Sequence, residues 1–480
     1  MPTRYLGVVP HLSVGIRLPD VVAPPVLKAA KLWDSAVGLM LSYHRETAPG
    51  RVIASGGLQG HSGTSIHEYI TKARSYSELY GAVVEVEADH VSVSISPERA
   101  VKRIAGGGFE AGLSDAEVKQ ALNYIEEEMK EAAEAGGVDF ITVDTCELIE
   151  LAADKLGLQE VEARYEELLD PDERRHLEKA YVDRLYRFFV GNDVVEVRFS
   201  REDVARLAVK YWRSLRCIPQ ILELAKKHIN GVLGVEVAFD ETPEPTKPKD
   251  LLFYLSELKR LSVDVDFVAP NVGFAKREDY TGSLGELRER IAVLSAIARS
   301  FGAALSFHSC SGAHPYSDKG AGVLETVREA TQGMLKYKVS GVYIQLLLEV
   351  MSRFPAGSRP RRLYEEIFDY VLDKVRSYVA ERSGLYSPHL EEMLRRYEEE
   401  RQKGRKYNPR SDFFRHYFFL FQAAVDGSGR RYLREAVLNL YQEDKELREF
   451  YEKEAMELTT RLLRKLGLEG NLRRTQILKI

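Results

Sequence analysis

Cysteine is scarce in this chain. The three present, Cys146, Cys217 and Cys310, lie far apart and form no C-x-x-C pair. An odd, scattered set builds no disulfide framework and fits a reducing cytoplasm, which is the expected location. No uninterrupted apolar run reaches about 18 residues, which excludes a membrane-spanning helix. The opening MPTRYLGVVPHLSVG has no apolar core behind a basic start, so no secretion signal is expected. Charge of one sign is missing too: 68 Lys and Arg stand against 73 Asp and Glu, a net charge of -5, with both signs mixed throughout. Without a basic field, neither nucleic acid nor a membrane surface is an expected partner. The two common nucleotide cradles are absent, since no G-x-G-x-x-G follows a strand pattern and no G-x-x-x-x-G-K-[ST] occurs. The GGG at 106–108 follows a helical pattern and reads as a turn. There is no internal repeat and no low-complexity tract.

What the chain does have is length and apolar content. At 480 residues and 44% hydrophobic it can bury a large core, as two or three domains or as one barrel with additions. Its wealth of Glu, Arg and Lys resembles the surfaces of thermophile proteins. From about 80 to 345, short apolar runs alternate with turns and amphipathic helices: AVVEVEA (82–88), DFITVD (139–144), VEVAFD (235–240), VDFVAP (265–270), AALSF (303–307) and VYIQLL (342–347). Further strands fit near 4–16 and 37–42. SDAEVKQALNYIEEEMKEAAEAGG (114–137) is a model helix, opened by a Ser114/Glu117 capping box and stopped by paired glycines. This βα rhythm predicts an α/β fold, a (β/α)8 TIM-like barrel with helical insertions and a C-terminal helical subdomain. A doubly wound open sheet is the runner-up. The barrel is assigned to residues 1–355 with a helical insertion at 146–230, and the helical subdomain to 356–480.

In a parallel barrel, reactive groups come from the C-terminal ends of strands, where the βα loops meet. Those positions hold Asp89 and His90, Asp144, Glu236 with Asp240 and Glu241, Asn271 and His308. His90 and His308, each just past an apolar strand, could hold a divalent metal through imidazole nitrogens, with carboxylates completing the site; Zn, Mn, Co and Ni all suit such donors. Glu236 alternates with Val235 and Val237, so it faces either the barrel interior or the helical layer. An interior position would desolvate it and raise its pKa, as a general acid or base requires. Glu241 is equally well an N-cap for DLLFYLSELKRL. His61 and His67 sit in a loop where Ser65 reads as the cap of the next helix. Cys310 reads as a small buried residue, and Asp318 and Lys319 as a pair able to grip an anionic substrate.

Taken in order, ADH, FITVD, VEVAFDETPEPTKP, VDFVAPNVGFAKREDY and LSFHSCS resemble the tagaturonate epimerase family, metal-dependent hexuronate 4-epimerases on a (β/α)8 barrel. The likeness takes in LSVGIRLPDVVAPPVLKAAKLW near the start and RHYFFLF near 415. It implies Asp89 as a catalytic proton acceptor, Glu236 as the opposing proton donor, His90 and His308 as metal ligands, and Asn271 as a third ligand. It also implies Asp240, Ser309, Asp318, Lys319 and Lys338 as substrate contacts. The chain departs from the family in three loops: HSCSGAHPYSDKG follows the strand-end histidine, KVSG stands at 338–341, and Asn271 follows AP where an Arg is expected.

For such a ketose acid a metal would act as Lewis acid on the ketone and a neighbouring hydroxyl. C4 is β to the ketone, so its own proton is not acidified, and opening and reclosing the C3–C4 bond is one route to inversion; direct proton transfer between opposed residues is the other. A class II type sugar aldolase and a non-catalytic carbohydrate-binding relative are the rival readings. The helical additions could supply a homo-oligomer interface, a lid, or both.

Overall fold

The computed structural model describes residues 5–94 and 112–473; the glycines at 106–108 lie outside them. Eight strands close into a parallel barrel: β1 (His11–Gly15), β2 (Val37–Ser42), β3 (Val84–Ser92), β4 (Phe140–Asp144), β7 (Gly234–Phe239), β8 (Phe267–Pro270), β9 (Ala304–Phe307) and β10 (Leu335–Val339). Around the barrel they run β1-β10-β9-β8-β7-β4-β3-β2. Two further strands, β5 (Leu185–Val190) and β6 (Asp193–Arg198), pair as an antiparallel hairpin apart from it. No helix among the described residues is long and apolar enough to cross a membrane.

Most expected strands fall where the sequence pattern put them, and the capping box at Ser114 and the Ser65 cap both form. One strand does not. VYIQLL belongs to the buried helix Gly341–Ser352, and the eighth strand is the preceding LKYKV. Its lysines disguise it, because they point inward. The insertion is also not purely helical: between the helices Leu158–Leu168 and Pro171–Tyr181 and the long helix Arg201–His228 stands the β5–β6 hairpin. Beyond the barrel come the helices Arg359–Glu381, Pro388–Gln402, Asp412–Tyr417, Tyr432–Glu443 and Lys445–Leu466. Their apolar residues join one continuous core with those of the barrel's helical shell, and Lys28 pairs with Glu452 at 2.6 Å across the contact.

The barrel interior is charged, where such barrels usually carry layers of branched aliphatic side chains. Strands β3, β7 and β10 are not neighbours, so contacts among Glu87, Glu236, Lys336 and Lys338 cross the lumen. Lys336 Nζ lies 2.8 Å from Glu87 and 3.5 Å from Glu236, and 3.6 Å above the Phe140 ring. Phe140, Phe267 and Ala304 plug this end. Beside them His11 Nε2 and Glu85 Oε1 lie 3.4 Å apart, both fully buried. Burial, then Lys336, lowers His11 to about 3. Burial also raises Glu85 from 4.5 to about 8, with Glu87 and Asp139 adding to the rise while Lys336 and the Leu6 N–H oppose it. The pair is therefore neutral near pH 7, two uncharged polar groups side by side and not an ion pair.

A pH dependence follows. The folded Glu85 holds a proton that the unfolded chain releases near 4.5, so its share of stability is full below that pH and is lost as pH rises toward 8. Unfolding measured from pH 5 to 8 is expected to show this decline, and Glu85→Gln is expected to flatten it. An unchanged slope in the variant would assign the decline elsewhere.

Candidate active site

At the C-terminal mouth of the barrel, pairing between β3 and β4 slips: Ala88 faces Ile141, but Val91 faces Val143. Asp89 and His90 together oppose one residue, a β-bulge, and His90 has φ of 44°. In a regular strand consecutive side chains point to opposite faces. The bulge instead turns both Asp89 and His90 toward one cavity, at the cost of a left-handed backbone at His90.

The cavity is lined by Asp89, His90, Asp240, His308, Ser309 and Lys338, among others. The His90 and His308 rings lie 4.8 Å apart between centroids. His90 Nδ1 lies 3.1 Å from Asp144 Oδ2. His308 is held on both sides, with Nε2 at 2.6 Å from Glu236 Oε1 and Nδ1 at 3.1 Å from Asp240 Oδ1. Burial would lower its pKa, but Asp240 and Glu236 outweigh this and raise it to about 10. Asp89 accepts from Ser42 Oγ at 2.6 Å and from Lys338 Nζ at 2.8 Å. Lys338 also reaches Glu236 at 3.0 Å, Thr142 Oγ1 at 2.7 Å, and Glu87. One ammonium thus holds three carboxylates from across the lumen.

These contacts reverse one expectation. Glu236 does face the interior, but its carboxyl lies well below the usual range: burial would raise it, and Lys338, Lys336 and His308 more than offset that. Nor does Glu236 line the cavity; it lies behind His308. Asp89 is likewise held low, Lys338 and both histidines overcoming its burial.

Three expected residues are engaged elsewhere. Asn271 donates from Nδ2 to Thr242 O at 2.6 Å and accepts the Gly273 N–H at 2.7 Å through Oδ1, so both ends of its amide shape a loop, and it does not line the cavity. Asp318 pairs with Arg461 and Lys465 on the helix Lys445–Leu466. Lys319 Nζ donates to the carbonyls of Ala275 and Glu278. The pair ties its loop down instead of gripping substrate. Asp318→Asn is accordingly expected to cost about 1 kcal/mol of stability, since its partners are partly exposed, while KM stays put; a tenfold rise in KM would return Asp318 to the site. Ser309, Asp240 and Lys338 do reach the cavity. Cys310 is buried and its thiol is pushed up to about 12 by that burial, which suits an inert packing residue.

Several lining residues carry no sequence signal at a strand end. Arg45, from the loop after β2, pairs with Asp144 at 2.9 Å and Glu241 at 2.5 Å, and Lys276 adds to Glu241 at 2.7 Å. Glu241 is thus an ion-pair partner; the helix it was expected to cap, Pro248–Arg260, has Lys247 at its N-cap without a side-chain bond. Arg17, Glu46 and Ser340 form another polar corner, with Arg17 Nε 2.9 Å from Glu46 and 3.1 Å from Ser340 Oγ. Gly15 permits it, because a Cβ there would stand 2.1 Å from Ser340 Oγ.

Asp89, His90 and His308 each offer a donor atom within 4.8 Å of the others, as do His90, Asp144 and Glu241. The first set, two imidazoles and one carboxylate, fits a divalent ion by donor chemistry, although taking one up exchanges a proton of His308. The second is already neutralised by Arg45.

Comparison with known proteins gives a consistent result. A family model described as tagaturonate epimerase matches residues 107–402. A tagaturonate/fructuronate epimerase of Thermotoga maritima is 26% identical over 273 residues, covering 56% of this chain and 52% of the relative, so the match spans about half that protein. Two glycerol-complexed crystal structures of fructuronate-tagaturonate epimerase from Cohnella laeviribosi superpose with TM-scores of 0.69 at 21% and 22% identity, covering 97% of this chain and 83% of each of those. At that identity the likeness establishes the shared fold.

Proposed function

Because the chain belongs to the tagaturonate epimerase family, we propose that it inverts C4 of a keto-hexuronate, interconverting D-tagaturonate and D-fructuronate. The observation that carries this reading is the convergence of Asp89, His90 and His308 in one cavity, with donor atoms within 4.8 Å. A divalent ion, Mn, Ni, Co or Zn, would be held by His90 and His308, with Asp89 beside it, and would supply Lewis-acid polarisation of the ketone and a neighbouring hydroxyl.

The chain's own residues handle protons from opposed sides, as inversion demands. β3 and β9 face each other across the barrel, which sets Asp89 opposite His308. Asp89, ionised and open to the cavity, accepts a proton at the reacting centre. Across from it, the carboxylates of Glu236 and Asp240 share His308 and fix its ring, so Glu236 is a positioning residue acting through His308. Lys338 keeps Asp89 and Glu236 ionised. Burial of these groups strengthens each interaction by excluding water.

The test is elemental analysis of the purified protein, with interconversion of the two uronates followed after adding Mn, Ni, Co or Zn. A bound divalent ion and epimerisation without a released three-carbon fragment would support the reading. Metal without turnover of either uronate would sink the substrate assignment, and escape of the fragment would recast the protein as an aldolase.

A further inference from the structure

Among the described residues, the cavity's other cations are matched by carboxylates: Arg45 by Asp144 and Glu241, Lys276 by Glu241, Lys338 by Asp89, Glu87 and Glu236, and Arg17 by Glu46. Arg277 has no such partner. Its Nη1 donates to the main-chain carbonyls of Arg415 (2.9 Å) and His416, and Arg415 Nη1 returns a bond to the carbonyl of Arg277. This clasp leaves the guanidinium 5.0 Å from the Phe418 ring centroid, with that of Arg17 6.0 Å from the same ring. Arg277 is 7% exposed and Arg17 is 3% exposed, and both line the cavity. Arg17 Nη1 is buried with no hydrogen-bond partner, and Arg277 is held at φ of 58°.

A buried guanidinium without a counter-charge is costly, and so is an unpaired buried N–H. Two buried guanidiniums beside one carboxylate, Glu46, leave a net positive corner in the cavity that Asp89 and His308 also line. Burial, then Arg17, lowers Arg277 to about 9, with Glu46 opposing. Glu46 takes Nε and Nη2 of Arg17, so Arg17 Nη1 and the part of the Arg277 guanidinium outside the clasp are the donors left for a carboxylate, a group that guanidinium binds with charge-assisted bonds.

We propose that Arg17 and Arg277 form the subsite that takes the substrate's carboxylate, and so set the preference for a sugar acid over a neutral ketose. This rests on the epimerase reading, but its test does not depend on turnover. Binding of D-gluconate, sorbitol and sorbitol 6-phosphate is measured calorimetrically on the full chain and on Arg17→Met and Arg277→Met. Gluconate is expected to bind the wild type more tightly than either other probe. Each substitution should weaken gluconate by about 10- to 100-fold, the range for a charge-assisted pair, and leave sorbitol unchanged. Should Arg277→Met fail to fold, Arg277→Lys decides, because it keeps the charge and loses the fork; it should lose at least part of the gluconate preference. Equal binding of gluconate and sorbitol by the wild type, equal losses for both probes in the variants, or a preference for sorbitol 6-phosphate would overturn the assignment. In turnover, KM for tagaturonate should rise while kcat holds within a few-fold. If no uronate reacts but the gluconate preference and its loss are seen, only the epimerase reading falls.

Discussion

Replacing His308 with alanine is expected to lower epimerisation by about 10²- to 10⁴-fold, the range for losing a positioned proton-transfer group, and to release any bound divalent ion. The ring touches both Glu236, at 2.6 Å, and Asp240, at 3.1 Å. Without it the two carboxylates face an empty space opposite Asp89, and the nitrogen donor from β9 is gone. Asn at this position restores one polar arm but cannot bridge two carboxylates, so it should recover little. Metal content by elemental analysis and uronate interconversion, read on the same preparation, check this together. Retention of the metal with lost turnover would confine His308 to proton handling; retention of both would remove it from the site.

The residues that proved legible share a physical feature. Asp89, His90 and His308 stand at strand ends, where the barrel's directionality sends side chains to one mouth. Glu236 is visible as a carboxylate interrupting VEVAF, and of the two faces its alternation allows it takes the interior one. Its ionisation did not follow, because that depends on Lys336 and Lys338 across the lumen. Those lysines were hidden for the same reason that β10 was. In LKYKV the alternation of charged and apolar residues is a clean period of two, but charge is ordinarily taken to face solvent. In VEVEAD the same pattern gave the strand without revealing that Glu85 and Glu87 fill the core. Arg17, Arg45 and Arg277 come from loops, where no periodicity points. They are set by contacts far along the chain, as with Arg277 clasped by the carbonyls of Arg415 and His416. Asn271 sits at a strand end and still turns away, since its amide satisfies the backbone of its own loop.

Removing the Lys338 ammonium should be the most damaging single change to stability in the barrel. Lys338→Met keeps the stem's volume and leaves Glu87, Asp89 and Glu236 with one fewer cation among them, in a layer where Lys338 is 4% exposed and both glutamates are fully buried. Its own pKa is held well above the ordinary lysine value: burial opposes this, and Asp89, Glu236 and Glu87 outweigh burial. Breaking such a buried network by deleting one partner costs about 3–5 kcal/mol, because an uncompensated charge remains. The sign of the pH effect follows from the same groups. Glu87, Asp89 and Glu236 have lowered pKa values in the native protein, so their contribution is present above their unfolded values and is lost as pH falls through the native ones. Without Lys338 those native values rise, so the loss relative to wild type should be larger at pH 8 than at pH 5. Adding Glu87→Gln removes one of the stranded charges and should return part of the loss. Lys336 remains 2.8 Å from Glu87 and 3.5 Å from Glu236 in the parent structure, but among the described residues it makes no ion pair with Asp89, so the rescue should be incomplete. Urea unfolding of the three proteins at both pH values decides the matter. If Lys338→Met unfolds with the wild type at pH 8, the interior charges are neutralised by some other means, and the ionised Asp89 on which the proposed chemistry depends is lost with them.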